Sequence, residues 1–390
     1  MKKNVCFAII LFMILSCTAG QDNQTKTNLL RKDHAPGHDN DNDLFAPKAE
    51  TVYGSNWRGK DSNDHLSFVY PGRSTSDLNR DENCNGIYGK PDNDSRSYED
   101  IYCKDSDAKG VIIFGDSAAA AFHIPWWRVQ RAYQTRSYSQ LFEFSRDGEC
   151  NWPHKAWATG KEEIDSIYLK MRNRNRANHR DYQNLAYNGA QISDLSIQIN
   201  YLARNTDDKP ILGFIAYIGN DICKKSLDQM TTVHQYRYHM MKGLEELDKR
   251  VAHGSKIVLV GFVDGRILWD TLHDKQHPLG MTYAQLYSFL SSMGKNPCQT
   301  WLTPNEDQRN AASQRAEELS QVAKNIAKTE KFVNFDLAYV DFPLEEAIQL
   351  WTGQGEDPRD LIERVDGFHP SFTAHRLLAK IIWEKLEQNY

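Results

Sequence analysis

The chain has no apolar run long enough to cross a bilayer, no Cys-x-x-Cys pair and no excess of basic residues. The first absence excludes a membrane-spanning helix, which needs about 20 consecutive apolar residues. The second removes the spacing of a structural zinc site. The third, a formal net charge of -5, removes any electrostatic reason to expect nucleic acid as a partner. No internal repeat or low-complexity array is present either. What remains is ordinary globular material: 40% hydrophobic and 11% aromatic residues are enough to build a core. A length of 390 residues leaves room for one large domain and a small accessory one.

The chain starts with Met1-Lys2-Lys3 and an apolar run from Val5 to Leu15, followed by the small residues Ser16 to Gly20. That is the layout of a secretory signal peptide, here residues 1–19, cleaved near Ala19 or Gly20. Ile14-Leu15-Ser16-Cys17 also allows a bacterial lipoprotein signal, which would leave a lipidated Cys17. The expected location is therefore secreted or endolysosomal, or anchored through Cys17. Residues 20–37 are polar without apolar period and read as a disordered tail. Beyond the signal lie Cys84, Cys103, Cys150, Cys223 and Cys298. An exported protein is expected to pair most of them, and an odd count leaves one over.

Residues 38–104 are short acidic clusters between aromatic and glycine turns. Asp39, Asp41 and Asp43 alternate, with Phe45 at position 7 of a loop counted from Asp39. Asp61, Asn63 and Asp64 form a second cluster. Asp81, Asn83 and Asn85 form a third, with Gly86 at position 6, Ile87 at 7 and Asp92 at 12. Oxygen ligands at positions 1, 3 and 5, a glycine at 6 and a carbonyl at 7 wrap a chain around Ca²⁺. The first loop has Leu44 where the third has Gly86, so its turn is expected to be less standard. Any one cluster could be a solvated turn. Three in a region without helices favour structural calcium loops, which a region poor in core residues needs as staples.

From residue 105 to 390 the pattern alternates between strands and helices. Val111–Phe114 reads as a buried strand, followed by Gly115-Asp116-Ser117 and a helix from Ala118 to Arg131. Residues 132–165 read as an irregular insertion. Strands are expected at 182–186, 211–218, 256–262 and 332–340. Helices are expected at 192–204, 236–252, 282–293, 307–330 and 371–388, and residues 263–281 read as irregular. Strands alternating with helices imply a parallel sheet covered on both faces.

In such a sheet, ligands bind at the strands' C-terminal edge. Ser117, at one strand end, is a candidate nucleophile. Asp366-Gly367-Phe368-His369 precedes the last helix, so His369 could take the Ser117 proton and Asp366 could orient His369. The N–H groups of Ser117 and Gly189 and the side-chain amide of Asn220 could form an oxyanion hole. Each motif alone is weak; their order and their positions at strand ends give them weight. His123, His179 and Arg180 are candidate substrate contacts, the last two through phosphate recognition. Trp126, Trp127, Trp269 and Phe368 are candidates for an acyl channel, though aromatics beside a sheet are more often core.

This block order is that of the SGNH (GDSL-type) hydrolases, whose fold resembles flavodoxin. The resemblance reaches a narrower family. Gly115-Asp116-Ser117-Ala118-x-Ala120-x-Phe122-His123-Ile124, Val69-Tyr70-Pro71-Gly72-Arg73, His179-Arg180-Asp181-Tyr182 and Val365-Asp366-Gly367-Phe368-His369-Pro370 look like the acyloxyacyl hydrolases. That family removes secondary fatty acyl chains from the lipid A of lipopolysaccharide. The resemblance implies a three-layer α/β/α fold with a small N-terminal calcium-binding region and a Ser-His-Asp esterase mechanism. It also implies an acylated lipid substrate, lipid A or a phospholipid, with contact to a membrane or micelle. The departures are informative. The family's saposin-like small subunit has no counterpart before the first acidic cluster, and Ser291-Ser292 stand where the family has its tethering cysteine. Ser62 and Ala177 replace family cysteines whose partners would be Cys84 and Cys103, so these two are expected to pair with each other. Cys223 with Cys298 is the other expected bridge, with Cys150 left over. Ala119 and Ala121 replace a Gly and a His in the nucleophile block, a change expected at the pocket floor. Two further readings stay open: an esterase on another lipid or an acetylated glycan, and a calcium-stabilised lipid binder with little turnover.

Overall fold

The structure, a computed structural model, describes residues 34–47, 55–103, 108–127, 130, 150–161 and 163–388. The signal peptide, the tail to residue 33 and most of the 132–165 insertion lie outside these residues. The central element is β3 (Gly110–Gly115), whose residues 111–114 are fully buried. A strand covered on both faces reads as an unbroken apolar run, as Val111–Phe114 does. β4 (Tyr182–Asn184), β5 (Ile211–Ala216), β6 (Ser255–Val260) and β7 (Phe335–Val340) complete a parallel sheet in the order β4-β3-β5-β6-β7. Numbered by sequence within the sheet, the order is 2-1-3-4-5, the flavodoxin-like arrangement. Its switch point beside β3 is where ligands bind in such sheets.

The helices begin where the sequence caps them. Thr232 and Gln235 form a capping box on α4 (Val233–Asp248), and Thr282 and Gln285 do the same on α6 (Tyr283–Ser292). Asn305 caps α7 (Glu306–Thr329), and α9 (Phe372–Gln388) closes the chain with Leu378, Ile381, Ile382 and Leu386 against the core. Before these come α1 (Tyr98–Tyr102), α2 (Ile167–Arg174) and α3 (Leu195–Asn200); α5 (Arg266–Leu272) and α8 (Leu344–Gly353) lie between. The structure differs from expectation in several places, and α1, in a region expected to lack helices, and α2 are helices where none is expected. Ala118–Ala121 form a turn and not a helix, because Ala121 takes a positive φ of 54° and Phe122 then bridges to Asn151. Residues 263–281 contain α5, and α8 follows Pro343; neither helix has a side-chain N-cap to announce it. The 192–204 helix is shorter, a 3₁₀ turn at Ile192–Asp194 leading into α3.

The acidic region carries little regular structure: β1 (Ala46–Pro47) pairs with β2 (Lys60–Asp61), and α1 is held by a Ser97–Asp100 capping box. It docks along β4. Arg58 is buried, bonded to Gln183 and donating to the Tyr201 carbonyl at 2.6 Å, while the Gly59 N–H donates to Tyr182 at 3.1 Å. A Cβ at Gly59 would sit 1.7 Å from the Arg180 carbonyl oxygen, so only glycine allows this approach. Cys223 and Cys298 form the expected disulfide. Cys84 and Cys103 do not pair with each other, and Cys150, expected to be left over, is disulfide-bonded. The reason is local. The Ser62 hydroxyl lies 3.1 Å from the Cys84 sulfur, and Cys103 takes a hydrogen bond from the backbone of Ala177. Cys84 thus faces Ser62 and Cys103 faces Ala177, the residues that the resemblance gives as replacing their partner cysteines.

Candidate active site

The site grows from the end of β3. Past Gly115 the sheet partner β4 has already departed, and the side chain of Gln198 on α3 takes its place. Its Oε1 accepts the Gly115 N–H at 2.9 Å and its Nε2 donates to the Gly115 carbonyl at 2.7 Å. Asp116 then turns inward. Its Oδ2 accepts the N–H groups of Ile218 (2.8 Å) and Gly219 (3.2 Å), and its Oδ1 accepts that of Ala118 at 3.0 Å. Burial pushes the Asp116 pKa up, while these three N–H donors and the nearby His369 oppose the shift. One carboxylate thereby ties the nucleophile turn to the end of β5, and the next side chain, Ser117, must point away from the sheet.

Ser117 Oγ lies 2.9 Å from His369 Nε2, and His369 Nδ1 lies 2.6 Å from Asp366 Oδ2. Asp366 Oδ1 accepts the backbone N–H groups of Phe368 (2.8 Å) and His369 (3.1 Å), so all of its acceptor capacity near the histidine is aimed. The three are buried, at 4%, 7% and 3% exposure. α6 supports the loop from below: Tyr287 donates to the Gly367 carbonyl at 2.7 Å and Tyr283 to that of Arg364 at 2.8 Å. His277 accepts the Leu279 N–H on Nδ1, which leaves Nε2–H to donate to the Val365 carbonyl at 3.0 Å. Burial lowers the His277 pKa to about 4, so it is a neutral brace. Gly367 has a φ of +64°, and a Cβ there would meet the Tyr287 hydroxyl at 2.6 Å.

Ser117, Gly189, Asn220, Asp366 and His369 share one cavity of about 110 Å³. Gly189 has a φ of +81° with nothing within 4 Å of where a Cβ would stand. On the other side of Ser117 an apolar pocket of about 30 Å³ runs between Ile218, Val263, Leu268, Trp301, Phe342 and Phe368. Of the expected channel aromatics only Phe368 lies there; Trp269 packs on Tyr287 and Arg309, and Trp126 and Trp127 edge a separate cleft of about 550 Å³. Ala119 and Ala121 are fully buried and line neither cavity beside Ser117. His123 borders the large cleft. His179 and Arg180 are not brought to the site. They precede Tyr182, which pairs with Val111, and so lie at the N-terminal edge of the sheet. That is a strand's length, roughly 20 Å, from Ser117. Asp181 pairs with Arg204 instead of Arg180.

The first and third acidic clusters share most of their hydrogen bonds. Asp39 accepts the N–H groups of Asp43 (3.2 Å) and Leu44 (3.0 Å); Asp81 accepts those of Asn85 (3.0 Å) and Gly86 (2.9 Å). Asp43 accepts from Phe45 at 2.8 Å, and Asn85 from Ile87 at 2.7 Å. Leu44, with a φ of +75°, takes the left-handed turn that Gly86 takes at +83°. The first turn is thus standard after all, held in a conformation that costs a side chain. Asp39, Asp41 and Asp43 each offer an oxygen within 4.8 Å of the others. Both oxygens of Asp41 and one each of Asp43 and Asp61 are buried without a hydrogen-bond partner. Burial, with the neighbouring carboxylates adding to it, pushes Asp43 up to about 8 and Asp61 to about 6. Unpartnered buried carboxylates of this kind fit a hard divalent cation. Asp64 is occupied, taking two hydrogen bonds from Asn40, and Asn63 is exposed. Around the third loop Asp92 is exposed, and the carboxylate that Asn83 and Asn85 meet is Glu99, on α1. No loop spacing points to Glu99.

Residues 111–382 match the GDSL-like lipase/acylhydrolase family. Acyloxyacyl hydrolase of Mus musculus is 42% identical over 380 residues, covering 93% of this chain and 66% of that protein. Acyloxyacyl hydrolase of Homo sapiens is 42% identical over 382 residues, with the same coverage of both chains. That of Oryctolagus cuniculus is 40% identical over 384 residues, covering 94% of this chain and 66% of its own. The chain thus spans 66% of the length of these relatives.

Proposed function

The chain belongs to the GDSL-like lipase/acylhydrolase family, and on that premise we propose that it is a serine carboxylic-ester hydrolase acting on fatty acyl esters of a lipid. The observation that carries the reading is the relay Ser117 Oγ–His369 Nε2–Asp366 Oδ2, at 2.9 and 2.6 Å, opening on a cavity shared with Gly189 and Asn220. In this reading Ser117 attacks the ester carbonyl as His369 takes its proton. Asp366 holds His369 with Nε2 facing the serine and stabilises the imidazolium. The oxyanion meets the N–H groups of Ser117 and Gly189 and the Asn220 amide. His369 returns its proton to the leaving alkoxide, then activates a water that hydrolyses the acyl-serine.

The apolar pocket between Trp301 and Phe342 receives the start of the acyl chain. At about 30 Å³ it admits only the first carbons unless those rings part. The first candidate for the alcohol side is an acyloxyacyl linkage of lipid A, as the relatives' name suggests; a phospholipid is the second. The acidic loops hold structural Ca²⁺ through Asp39, Asp41, Asp43 and Asp61, and through Asp81, Asn83, Asn85 and Glu99 around the third loop, with the carbonyls of Phe45 and Ile87 as further ligands. The cation's part is to neutralise clustered carboxylates, and no step of the ester chemistry uses it. Export to an oxidising compartment accords with the Cys223–Cys298 disulfide.

A fluorophosphonate probe and a fatty-acid release assay test this reading together. The probe is expected to label the wild type and not Ser117→Ala. Release is expected to be faster from lipid A than from phospholipid, with and without detergent. Labelling without release from either lipid would move the substrate to a smaller ester. Absence of labelling would leave a lipid-binding protein.

A further inference from the structure

The relay uses Asp366 and His369 but leaves a second buried carboxylate in the same loop unexplained. The Glu363 side chain is 4% exposed. Its N–H donates to the His369 carbonyl at 2.7 Å and its carbonyl accepts the Gly367 N–H at 2.8 Å, which closes the loop on itself. Its Oε1 accepts the Val365 N–H at 3.2 Å. Its Oε2 is bonded to Nδ1 of His123, 240 residues away in sequence. His123 lies on the segment that leaves the nucleophile turn. Its ring rests on Phe372 at 4.3 Å, its N–H donates to the Cys150 carbonyl at 2.8 Å, and the ring of its neighbour Phe122 sits 4.2 Å from that of His369.

These contacts form a bracket. α6 and His277 fix the histidine loop on the side away from Ser117, whereas Glu363 reaches across to the serine's own segment. Two polar links therefore join the loops: the reacting pair Ser117–His369 and, beside it, His123–Glu363. A hydrogen bond held in a partly buried position is stronger and more directional than one at the surface. We propose that His123 and Glu363 are positioning residues that set the approach of His369 to Ser117. Neither lines the cavities beside Ser117. The proposal rests on Ser117 and His369 being the reacting pair.

Proton transfer from a serine depends on placement, and an error of about 1 Å costs on the order of 100-fold in rate. Losing the bracket should therefore lower turnover without weakening binding of a small ester, whose contacts lie elsewhere. The test uses the full chain with p-nitrophenyl butyrate and the rate of fluorophosphonate labelling, each expressed per reactive serine. His123→Ala and Glu363→Ala are expected to lose about 30- to 100-fold in kcat and in labelling rate, with KM within about twofold. His123→Asn and Glu363→Gln keep a hydrogen-bonding group at the junction and should recover about tenfold of that loss. The double alanine variant should be no slower than either single one, because a broken bracket cannot be broken again. The His123 side chain is 23% exposed, so its removal spares the fold even where that of Glu363 does not. A kcat per reactive serine within about threefold of wild type in His123→Ala would overturn the proposal, as would single losses that multiply in the double variant. If the wild type itself neither labels nor turns over, the esterase reading has failed and the bracket falls with it.

Discussion

Asp366 and Asp43 are both aspartates in tight loops, and they are treated in opposite ways. Around Asp366, both oxygens have partners: two backbone N–H groups on one, His369 on the other. Asp43 keeps one oxygen on the Phe45 N–H, while the other is buried with no partner. The same contrast separates the two regions. Around the sheet, the polar groups at the site are aimed by Gln198, Asp116, His277 and Tyr287 before any substrate arrives. In the acidic region, Asp39, Asp41 and Asp43 bring carboxylate oxygens within 4.8 Å of one another. Preorganised donors and acceptors belong to a reaction, since they need no rearrangement as charge develops. Clustered acceptors without donors are groups that a cation would satisfy. One region completes its own hydrogen bonding, and the other leaves buried carboxylate oxygens of Asp41, Asp43 and Asp61 without a hydrogen-bond partner.

The sharpest way to break this contrast is at Asp366. Asp366→Asn leaves the backbone bonds of the loop possible but allows the amide to donate to Nδ1, which turns the His369 tautomer the wrong way. A loss of about 10⁴-fold in kcat is expected, with thermal stability little changed. An ester assay beside a melting curve reads both. A loss below about tenfold would mean that His369 does not need its carboxylate and that the site is not preorganised as described.

Calcium removal addresses the other region. A ligand at 100 times its dissociation constant adds about 2.7 kcal/mol to the folded state. Chelation with EGTA is expected to lower the melting temperature by several degrees and to expose residues 34–103 to protease, with the 108–388 sheet region left resistant. Asp43→Asn, which relieves carboxylate repulsion, should lose calcium at the Asp39–Asp43 loop and respond less to the chelator, through the Asp81 loop alone. Equal melting with and without EGTA in the wild type would remove the cation from the account.

The sequence announced these two regions unequally, for physical reasons. β3, β5 and β6 are legible because strands buried on both faces must be continuous apolar runs. Asp366 and His369 are legible because three residues and one tight turn fix their relation. Asp39 and Asp81 are legible because their loops bond within themselves. Glu99, Glu363 and His277 are not, since each acts on a residue that only the fold brings near. His179 and Arg180 were misplaced for the converse reason: a motif beside a strand does not say which end of the sheet it occupies. α5 and α8 have no capping side chain to mark their starts, α1 and α2 are capped but too short to show an apolar period, and the four small residues Ala118–Ala121 favour a helix until the positive φ of Ala121 breaks it. Cys84 and Cys103 could be paired on paper only while Ser62 and Ala177 had no positions.

His277 makes the sheet region's dependence on pH explicit. Burial lowers its pKa from 6.5 to about 4. Below 6.5 the unfolded chain therefore binds a proton that the folded chain refuses until about pH 4. Its contribution is full above the unfolded value and is lost as pH falls through this window, by up to about 3 kcal/mol. Urea midpoints at pH 7, 5.5 and 4 should fall in that order, in excess calcium so that the acidic loops stay filled. His277→Gln is expected to be less stable at pH 7 but flatter across the series. An equally steep fall in that variant would assign the effect to other groups, with buried His375 the first to examine.

The smallest expected effect compares the regions through a strain they share. Leu44 and Ala121 both hold a positive φ, at 75° and 54°, which side chains adopt at a cost of about 1 kcal/mol. Glycine at either place removes that strain, although it also loosens the unfolded chain, so each net gain is expected near or below about 1 kcal/mol. The two sites should then part company. Ala121 is fully buried beside the nucleophile turn, and the Phe122–Asn151 bridge that follows it fixes the backbone whatever is bound. Ala121→Gly should raise stability equally with and without calcium. Leu44 owes its conformation to Asp39, which accepts its N–H only while the acidic loop stays closed. Leu44→Gly should give its gain mainly in the filled loop, read as tighter calcium binding and not as a higher melting temperature in EGTA. If both substitutions instead act alike under both conditions, the acidic loop closes without its cation, and the two regions differ less than their carboxylates suggest.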